Sequence, residues 1–489
     1  MKILDKNLTP KSVLVIGGGI AGIQASLDLA DKGIHVYLVE KEPSIGGHMA
    51  LLDKTFPTND CSMCILAPKM NECDANDNIE ILSYSEVTQV KGKAGNFRVK
   101  VKRKARYVNE RKCTGCGECV ARCPKKVPNK YNSYLDMRKA IYLPFPQAVP
   151  RVMTIDAENC LYLTKGKCGT CKKVCTAGAV AYDQKDLEED LKVGAIIVAT
   201  GFEVFVPKEM AEYGYGKYEN VLTAMEYERL ICASGPTGGH LYCRLRNAES
   251  IRNPKSNETV SLGALATMNI EVPKSIAFIQ CVGSRDLQHN PYCCSVCCMH
   301  ATKEAILAKE HYEDIEAYIF YTDLRAVGKG FQEYVNRAKE EYGIKYIRAR
   351  PGKINEDKTT KKLTIWYDDT VVRKVKSLEV DLAVLCTTLK PNRESIYLGK
   401  ILGIQVDEYG FFKVKDALYS PLDTNVNGIF VAGFCESPKD IPESVMQGSG
   451  AAARAAEILA YEMASLEYPD FLDADALVAS LRYDKEVVS

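Results

Sequence analysis

The chain opens on a short apolar run, Ser12 to Ile16 (SVLVI), followed at once by three glycines. Apolar residues then recur at helical spacing from Ile20 to Lys32, Gly33 supplies a stop, and His35 to Glu40 (HVYLVE) forms a second apolar run. This pattern predicts a strand, a helix and a strand within about 30 residues. Strand-type runs return at 194–202 (GAIIVATGF), 274–281 (KSIAFIQC), 316–323 (EAYIFYTD), 381–387 (DLAVLCT) and 428–434 (GIFVAGF), with helical stretches at 297–312 and 443–464. Alternation of strands and helices predicts an α/β protein with a parallel sheet. Residues 108–183 break the pattern. They carry eight cysteines, many lysines and the prolines Pro144, Pro146 and Pro150, and read as an inserted module.

The first glycines, Gly17-Gly18-Gly19-Ile20-Ala21-Gly22, satisfy G-x-G-x-x-G. They follow a strand, open a helix, and have Glu40 at the end of the next strand, which is the context in which this pattern binds a dinucleotide. Gly17 permits the tight turn, Gly19 lets the backbone approach a pyrophosphate at the helix N-terminus, and Gly22 permits close helix–strand packing. Glu40 would accept hydrogen bonds from ribose hydroxyls. The fingerprint does not separate FAD from NAD. Ala199-Thr200-Gly201 and Gly428 to Gly433 (GIFVAG) resemble the later motifs of two-dinucleotide flavoproteins of the thioredoxin reductase type, which implies FAD. In that type the last motif ends in Gly-Asp; here Phe434 and Cys435 take the place of the acid.

Composition excludes several classes of function. Of 489 residues, 46% are hydrophobic and 26% charged, so wholesale disorder is out. A net charge of +1 leaves no footprint for nucleic acid or an anionic membrane. No apolar run is long enough to predict a membrane-spanning helix, and the first residues lack the apolar core of a secretory signal. The unusual number is 20 cysteines, many in CxxC clusters. In a chain of this length without a secretory signal, they point to metal ligation in a reducing compartment. Cys113, Cys116, Cys119 and Cys123 are spaced C-x2-C-x2-C-x3-C and followed by Pro124; Cys160, Cys168, Cys171 and Cys175 are spaced C-x7-C-x2-C-x3-C. Zinc accepts tetrahedral thiolates too, but runs of this spacing are specific to iron–sulfur sites. The two halves resemble a two-cluster bacterial ferredoxin, in which the last cysteine of each run ligates the other cluster. That implies one [4Fe–4S] cluster on Cys113, Cys116, Cys119 and Cys175, and a second on Cys160, Cys168, Cys171 and Cys123.

A nucleotide site after the 274–281 strand would need a glycine-rich turn. The sequence has one glycine there, Gly283, and then Pro291 to Cys298 (PYCCSVCC), so NAD(P)H as direct donor is disfavoured. Cys281, Cys293, Cys297 and Cys298, with Cys294 as substitute, could ligate a third cluster. A redox disulfide between Cys294 and Cys297, or buried free thiols, are the other readings. Cys61 and Cys64 form a further CxxC, either a redox disulfide facing a flavin or half of a cluster. Cys73, Cys232, Cys243, Cys386 and Cys435 are isolated and read as core residues. Lys329, flanked by Gly328 and Gly330, is the catalytic candidate, a cation near flavin N5. None of the six histidines forms a zinc-protease-type pair.

Several long segments together resemble the heterodisulfide reductase A-subunit family over nearly the whole chain. They are the fingerprint, GGHMALLDKTFPTNDCSMCILAPKM, KCTGCGECVARCP, AIYLPFPQAVP, CLYLTKGKCGTCKKVC, ASGPTGG, IQCVGSRD with PYCCSVCCMHATKEA, and GFCESPKDIPESV. The resemblance implies an iron–sulfur flavoprotein with a thioredoxin-reductase-like, two-dinucleotide-binding α/β core and an inserted ferredoxin-like α+β module. It also implies FAD, a helix N-terminus at Ile441 and Ser444 close to the flavin, and FAD contacts from Gly17, Gly19, Ala21, Gly22, Glu40, Lys41, Gly46, Gly47, Thr200, Gly201 and Gly433. The expected division is 1–107, 184–206 and 386–465 for the FAD-binding domain, 108–183 for the module, 207–385 for a second α/β domain with a degenerate nucleotide site, and 466–489 for a tail. Members of the family pass electrons between a donor module and partner subunits, and some bifurcate them at the flavin. Relative to the methanogen enzymes, this chain starts almost at the fingerprint and ends at Ser489 without a C-terminal ferredoxin domain. The expected partners are heterodisulfide reductase B/C-like or hydrogenase-linked subunits, with homodimerisation also open, and the expected location is cytoplasmic or peripheral to a membrane complex. A self-contained NAD(P)H-dependent disulfide oxidoreductase is the alternative.

Overall fold

The Val13-Leu14-Val15-Ile16 run becomes the central strand of a sheet buried on both faces, which is why it is apolar without alternation. Val13 and Val15 point into one core, Leu14 and Ile16 into another. The computed structural model describes residues 12–243 and 272–467. In its first half, β1 (Ser12–Ile16), α1 (Ile20–Ala30), β2 (His35–Glu40), α2 (Ser62–Ala75) and β3 (Ile79–Ser83) follow in sequence. The chain then runs through β4 (Ser85–Lys93) and β5 (Asn96–Arg103); β5 pairs antiparallel with β4 on one side and with β6 (Leu187–Val193) on the other, in a separate three-stranded sheet. With β7 (Ala195–Val198) and the distant β13 (Ile429–Val431), the main sheet reads β13-β7-β1-β2-β3, all parallel.

The cysteine-rich segment leaves after β5 and returns to β6. A bridge between Val108 and Val180 closes its neck. It holds three one-turn helices, α3 (Glu118–Arg122), α4 (Leu161–Lys165) and α5 (Thr170–Val174). Its proline-rich middle packs away from the cysteines: Phe145, Ala148 and Val149 share a core with Ile45 and Met70 of the first half.

The second half has its own parallel sheet. Its elements are β8 (Val221–Thr223), α6 (Ala224–Ile231), β9 (Ser275–Val282), α7 (Cys297–His311), β10 (Glu316–Tyr321), α8 (Phe331–Glu340), β11 (Lys345–Arg348) and β12 (Leu382–Thr387), in the order β8-β12-β9-β10-β11. A three-stranded antiparallel sheet over 351–380 leans on it, with Ile354, Leu363 and Ile365 in a core shared with β9 and β12. The chain then crosses back through α9 (Ser395–Leu402) to β13 and ends, within the described residues, in α10 (Ile441–Glu467). Of the expected tail, 466–489, all but 466–467 lies outside the described residues. No helix among the described residues is long and apolar enough to cross a membrane.

Candidate functional site

The glycine turn is built as its sequence demands. Gly17 has φ +110°, and a Cβ on it would lie 2.3 Å from the Ala199 carbonyl oxygen. A Cβ on Gly22 would lie 1.9 Å from the Gly17 carbonyl oxygen, so α1 touches the turn backbone to backbone. Gly19 is different. It caps the N-terminus of α1 with no side-chain hydrogen bond, and a Cβ there would meet nothing within 4 Å. The first N–H groups of α1 therefore face an open cradle.

Other predicted residues close around that cradle. Gly46 donates its N–H to the Gly18 carbonyl at 2.7 Å, and a Cβ on Gly47 would sit 2.9 Å from Gly19 Cα. Thr200 stands beside Gly17, and its Oγ1 is buried without a hydrogen-bond partner. A Cβ on Gly433, φ +74°, would meet Ala21 at 3.1 Å and Ser444 at 3.6 Å, while a Cβ on Gly448 would lie 2.5 Å from the Ala21 carbonyl oxygen. An orphaned hydroxyl beside an open helix N-terminus fits a pyrophosphate-bearing cofactor. Glu40 is already engaged: Oε2 accepts from Gly18 N–H at 2.7 Å and Oε1 from Glu42 N–H at 2.8 Å. Burial raises its pKa against those two hydrogen bonds, and a ribose hydroxyl would have to use the remaining lone pairs. Ser444 Oγ, in the first turn of α10, donates at 2.7 Å to the carbonyl of Asp440, which precedes the helix's first residue, Ile441.

Sequence reasoning missed three residues here. Gln447 Oε1 accepts from Gly433 N–H at 2.8 Å. His48 stacks on Phe202 at 4.1 Å, and Phe202 meets Phe434 at 4.7 Å, so an aromatic wall stands where the expected acid is missing. Burial, with Lys130 and Lys41, depresses His48 to about 4. Two further candidates reach the surface. Lys41 pairs with Glu394 at 3.3 Å on the surface. Lys329 is exposed, in the loop that leads to α8, where a Cβ on Gly330 would lie 3.9 Å from Pro57. The pairing of Phe56 with Phe331 ties that loop to residues 55–60.

The eight module cysteines gather in two fours. One cavity is lined by Cys123, Cys160, Cys168 and Cys171, the other by Cys113, Cys116, Cys119 and Cys175. The fourth cysteine of each run thus crosses to the other cavity. Gly117, φ +86°, and Gly169, φ +89°, cap α3 and α5 and turn Cys119 and Cys171 inward. Tyr182 and Cys171 Sγ are 2.9 Å apart.

A third sulfur group lies at the carboxyl end of the second sheet, where a dinucleotide turn would be. A break in register between Ile279 and Val282 and a left-handed backbone at Cys281, φ +61°, swing that residue out of the β9 ladder. Ser295, φ +59°, makes the irregular turn that lets α7 begin at Cys297. Cys297 hydrogen-bonds with Cys281, Cys294 and Cys298. Those bonds draw the three partners below the usual thiol range, Cys294 to about 7, and push Cys297 up. Cys293 stands at the edge, half-buried, its Sγ accepting from Ser295 N–H at 3.4 Å. Cys386 is a core residue as expected, in the same core; burial, then charges that include Cys281, Cys294 and Cys298, raises its pKa. Cys73, Cys232, Cys243 and Cys435 are buried. Four buried cysteines on one core, from the end of β9 and the start of α7, are a candidate ligand set for a metal cluster.

Cys61 caps α2, its Sγ accepting from Cys64 N–H at 3.2 Å, and Cys64 is exposed. The Cys64 thiol donates to Cys61, which raises its pKa.

The seam between the halves carries a buried charge cluster. Lys303 Nζ lies 2.5 Å from Glu228 Oε2, and His300 Nε2 lies 2.8 Å from Glu228 and 2.9 Å from Glu304. Glu228 also accepts from Asp53 N–H at 2.6 Å, tying α6 to the first half. Glu228, His300 and Glu304 are close enough to share a metal ion, but the Lys303 ammonium already fills the cation's place. Burial disfavours the charged lysine, yet Glu228 and Glu304 outweigh it and raise its pKa. Lys303→Met should leave buried carboxylate uncompensated and cost about 3–5 kcal/mol. Urea denaturation would show it, and Lys303→Met with Glu228→Gln should recover part of the loss. An unchanged midpoint for Lys303→Met would show that the pair does not hold the seam.

Three family models match parts of the chain. Residues 12–60 match the FAD dependent oxidoreductase family, residues 305–452 the pyridine nucleotide-disulphide oxidoreductase family, and residues 106–128 the 4Fe-4S binding domain. The chain is 48% identical over 444 residues to the iron-sulfur A-subunit of the CoB–CoM heterodisulfide reductase of Methanocaldococcus jannaschii, covering 91% of this chain and 63% of that protein. It is 43% identical over 477 residues to the heterodisulfide reductase A-subunit-like protein of Archaeoglobus profundus, covering 94% of this chain and 67% of that one. Among solved structures, the thioredoxin reductase of Lactococcus lactis aligns over 92% of this chain and 99% of its own, with a TM-score of 0.47 and 16% identity. Fold and site together define an FAD-dependent oxidoreductase that also carries an iron–sulfur cluster. The chain belongs to the heterodisulfide reductase A-subunit family. It spans about 63% of the length of its methanogen relatives.

Proposed function

We propose that the chain is the electron-transfer flavoprotein subunit of a heterodisulfide-reductase-like complex. The observation that carries this reading is the replacement of the second dinucleotide turn by a buried sulfur group, in a chain whose first glycine cradle stays open. FAD would occupy the cradle at Gly17, Gly19, Gly47, Thr200 and Gly433, where it supplies exchange between two-electron and one-electron chemistry. Two [4Fe–4S] clusters would occupy the cysteine-lined cavities of the module. A third would be held by Cys281, Cys297 and Cys298, with the fourth ligand from Cys293 or Cys294. Partner subunits would supply and remove the electrons.

A second reading rests on a different observation, the hydrogen-bonded Cys61–Cys64 pair with its exposed thiol. It makes the chain a self-contained NAD(P)H-dependent disulfide oxidoreductase. One anaerobic experiment separates the two. Under the first reading, NADH or NADPH leaves the flavin of the isolated chain oxidised, and the chain carries about twelve iron and twelve sulfide. Rapid stoichiometric bleaching of the flavin by either nucleotide would hand the chain to the second reading.

A further inference from the structure

We propose that Gln280 is a positioning residue of the third sulfur group: with Cys298 bound as a thiolate ligand, the Gln280 amide donates an N–H to Cys298 Sγ and raises the reduction potential of the cluster held there. The inference rests on reading Cys281, Cys297 and Cys298 as cluster ligands.

The residue type is the first observation. On β9, Ile276 and Phe278 point into the core that also holds the cysteines. Strand alternation brings Gln280 to the same face two residues later. Its side chain is a polar group on an apolar face. Gln280 is 4% exposed, and its Nε2 is buried without a hydrogen-bond partner. Buried N–H groups left unpaired are costly and rare in native proteins. Leucine or methionine would fill the place without that cost.

The second observation is what the amide faces. Its Oε1 accepts from Cys298 Sγ at 3.5 Å, and the Asp323 carbonyl oxygen lies 3.6 Å from the same sulfur. One thiol proton thus faces two oxygens. The sulfur also accepts from Arg325 N–H at 3.5 Å. A ligating cysteine has given up its proton. Its lone pairs would then meet two carbonyl oxygens. The Asp323 carbonyl is fixed by the backbone, but the Gln280 amide is free to turn. Half a turn about its last torsion exchanges Oε1 and Nε2, which are nearly the same in size. The turn sets an N–H against the sulfur. It leaves an under-satisfied carbonyl oxygen where an unpaired N–H stood, the milder of the two defects.

Reduction adds one electron and one negative charge, shared with the ligand sulfurs. An N–H donor to one of those sulfurs stabilises the added charge, so the reduced form gains over the oxidised one. Two charged neighbours are already neutralised: Arg285 pairs with Asp323 at 2.8 Å and Arg350 with Asp286 at 2.8 Å. The amide is the uncommitted donor on the strand side of Cys298.

The test uses the full chain with clusters and flavin loaded, titrated anaerobically with dithionite and redox mediators and followed by electron paramagnetic resonance. The third site's signal is the one missing from Cys297→Ala. Gln280→Met keeps the length of the side chain and loses the donor. It should make reduction of that site about tenfold less favourable, a downward shift of about 59 mV for one electron, with the module signals unmoved. Gln280→Leu should give the same shift. Phe278→Leu, on the same face of β9, should lower the unfolding midpoint and leave every potential in place. Equal potentials in the parent and both Gln280 variants overturn the role of Gln280 and leave the cluster standing. An equal shift in Phe278→Leu overturns it as well, because packing then suffices. Loss of the third signal from both Gln280 variants, with the module signals intact, would make the residue one needed for assembly and overturn its role in the potential. If Cys297→Ala keeps all its iron and every signal, the cluster reading falls and the proposal with it.

Discussion

Gly19→Val is expected to give a folded chain without flavin. Cβ of residue 19 points into open space, with nothing within 4 Å, so the substitution forces no protein atom to move. Its backbone, φ −77° and ψ −179°, is extended and suits valine. The space its methyl groups would take lies in front of the α1 N-terminus, where phosphate oxygens would meet N–H donors. The same change at Gly17 or Gly22 has another outcome. There Cβ would lie 2.3 Å from the Ala199 oxygen or 1.9 Å from the Gly17 oxygen, so β1, α1 and β7 could not pack, and loss of soluble protein is expected. Flavin absorbance per chain and circular dichroism separate the cases. A Gly19→Val protein with its full complement of flavin would show that this glycine turn is not a pyrophosphate site.

Cys297→Ala is expected to remove about four iron atoms per chain and leave the two module clusters spectroscopically unchanged. Cys297 touches three other cysteines, all buried, at the N-terminus of a 15-residue helix whose dipole favours thiolate. Its loss takes away the one sulfur that contacts Cys281, Cys294 and Cys298 alike. The module cysteines lie in separate cavities, on a separate core, and keep their ligands. A Cys294–Cys297 disulfide predicts otherwise: iron content stays constant, and one thiol pair disappears from oxidative titration. Buried inert thiols predict no change in either. Parallel Cys293→Ala and Cys294→Ala proteins identify the fourth ligand, since only one of the two should lose iron.

Much of this is legible in the chain because the relevant chemistry is local. The strand–glycine–helix–strand start falls where the pattern places it, as β1, α1 and β2, since an apolar run and a glycine turn need only their neighbours. The crossing of Cys123 and Cys175 between cavities follows from ferredoxin-like spacing. For Lys329 the glycines on both sides say that the loop is tight, and nothing in the sequence says what the loop approaches. Here Gly330 caps α8 and leaves the lysine in solvent. The proline-rich stretch lies between the two cysteine runs in sequence, yet Phe145 and Val149 belong to the first core.

The sequence by itself determined the elements, the glycine turn and the cysteine runs, because each depends on residues a few positions apart. Only the tertiary structure decided which distant groups meet. It placed Gln447 against Gly433 and His48 against Phe202, and it brought Cys386, from another strand, into the core of Cys281, Cys294, Cys297 and Cys298. It also set Glu228 and Lys303, 75 residues apart, as a buried pair across α6 and α7. Such contacts depend on how sheets and helices stack, and no local pattern of side chains encodes the distance between them.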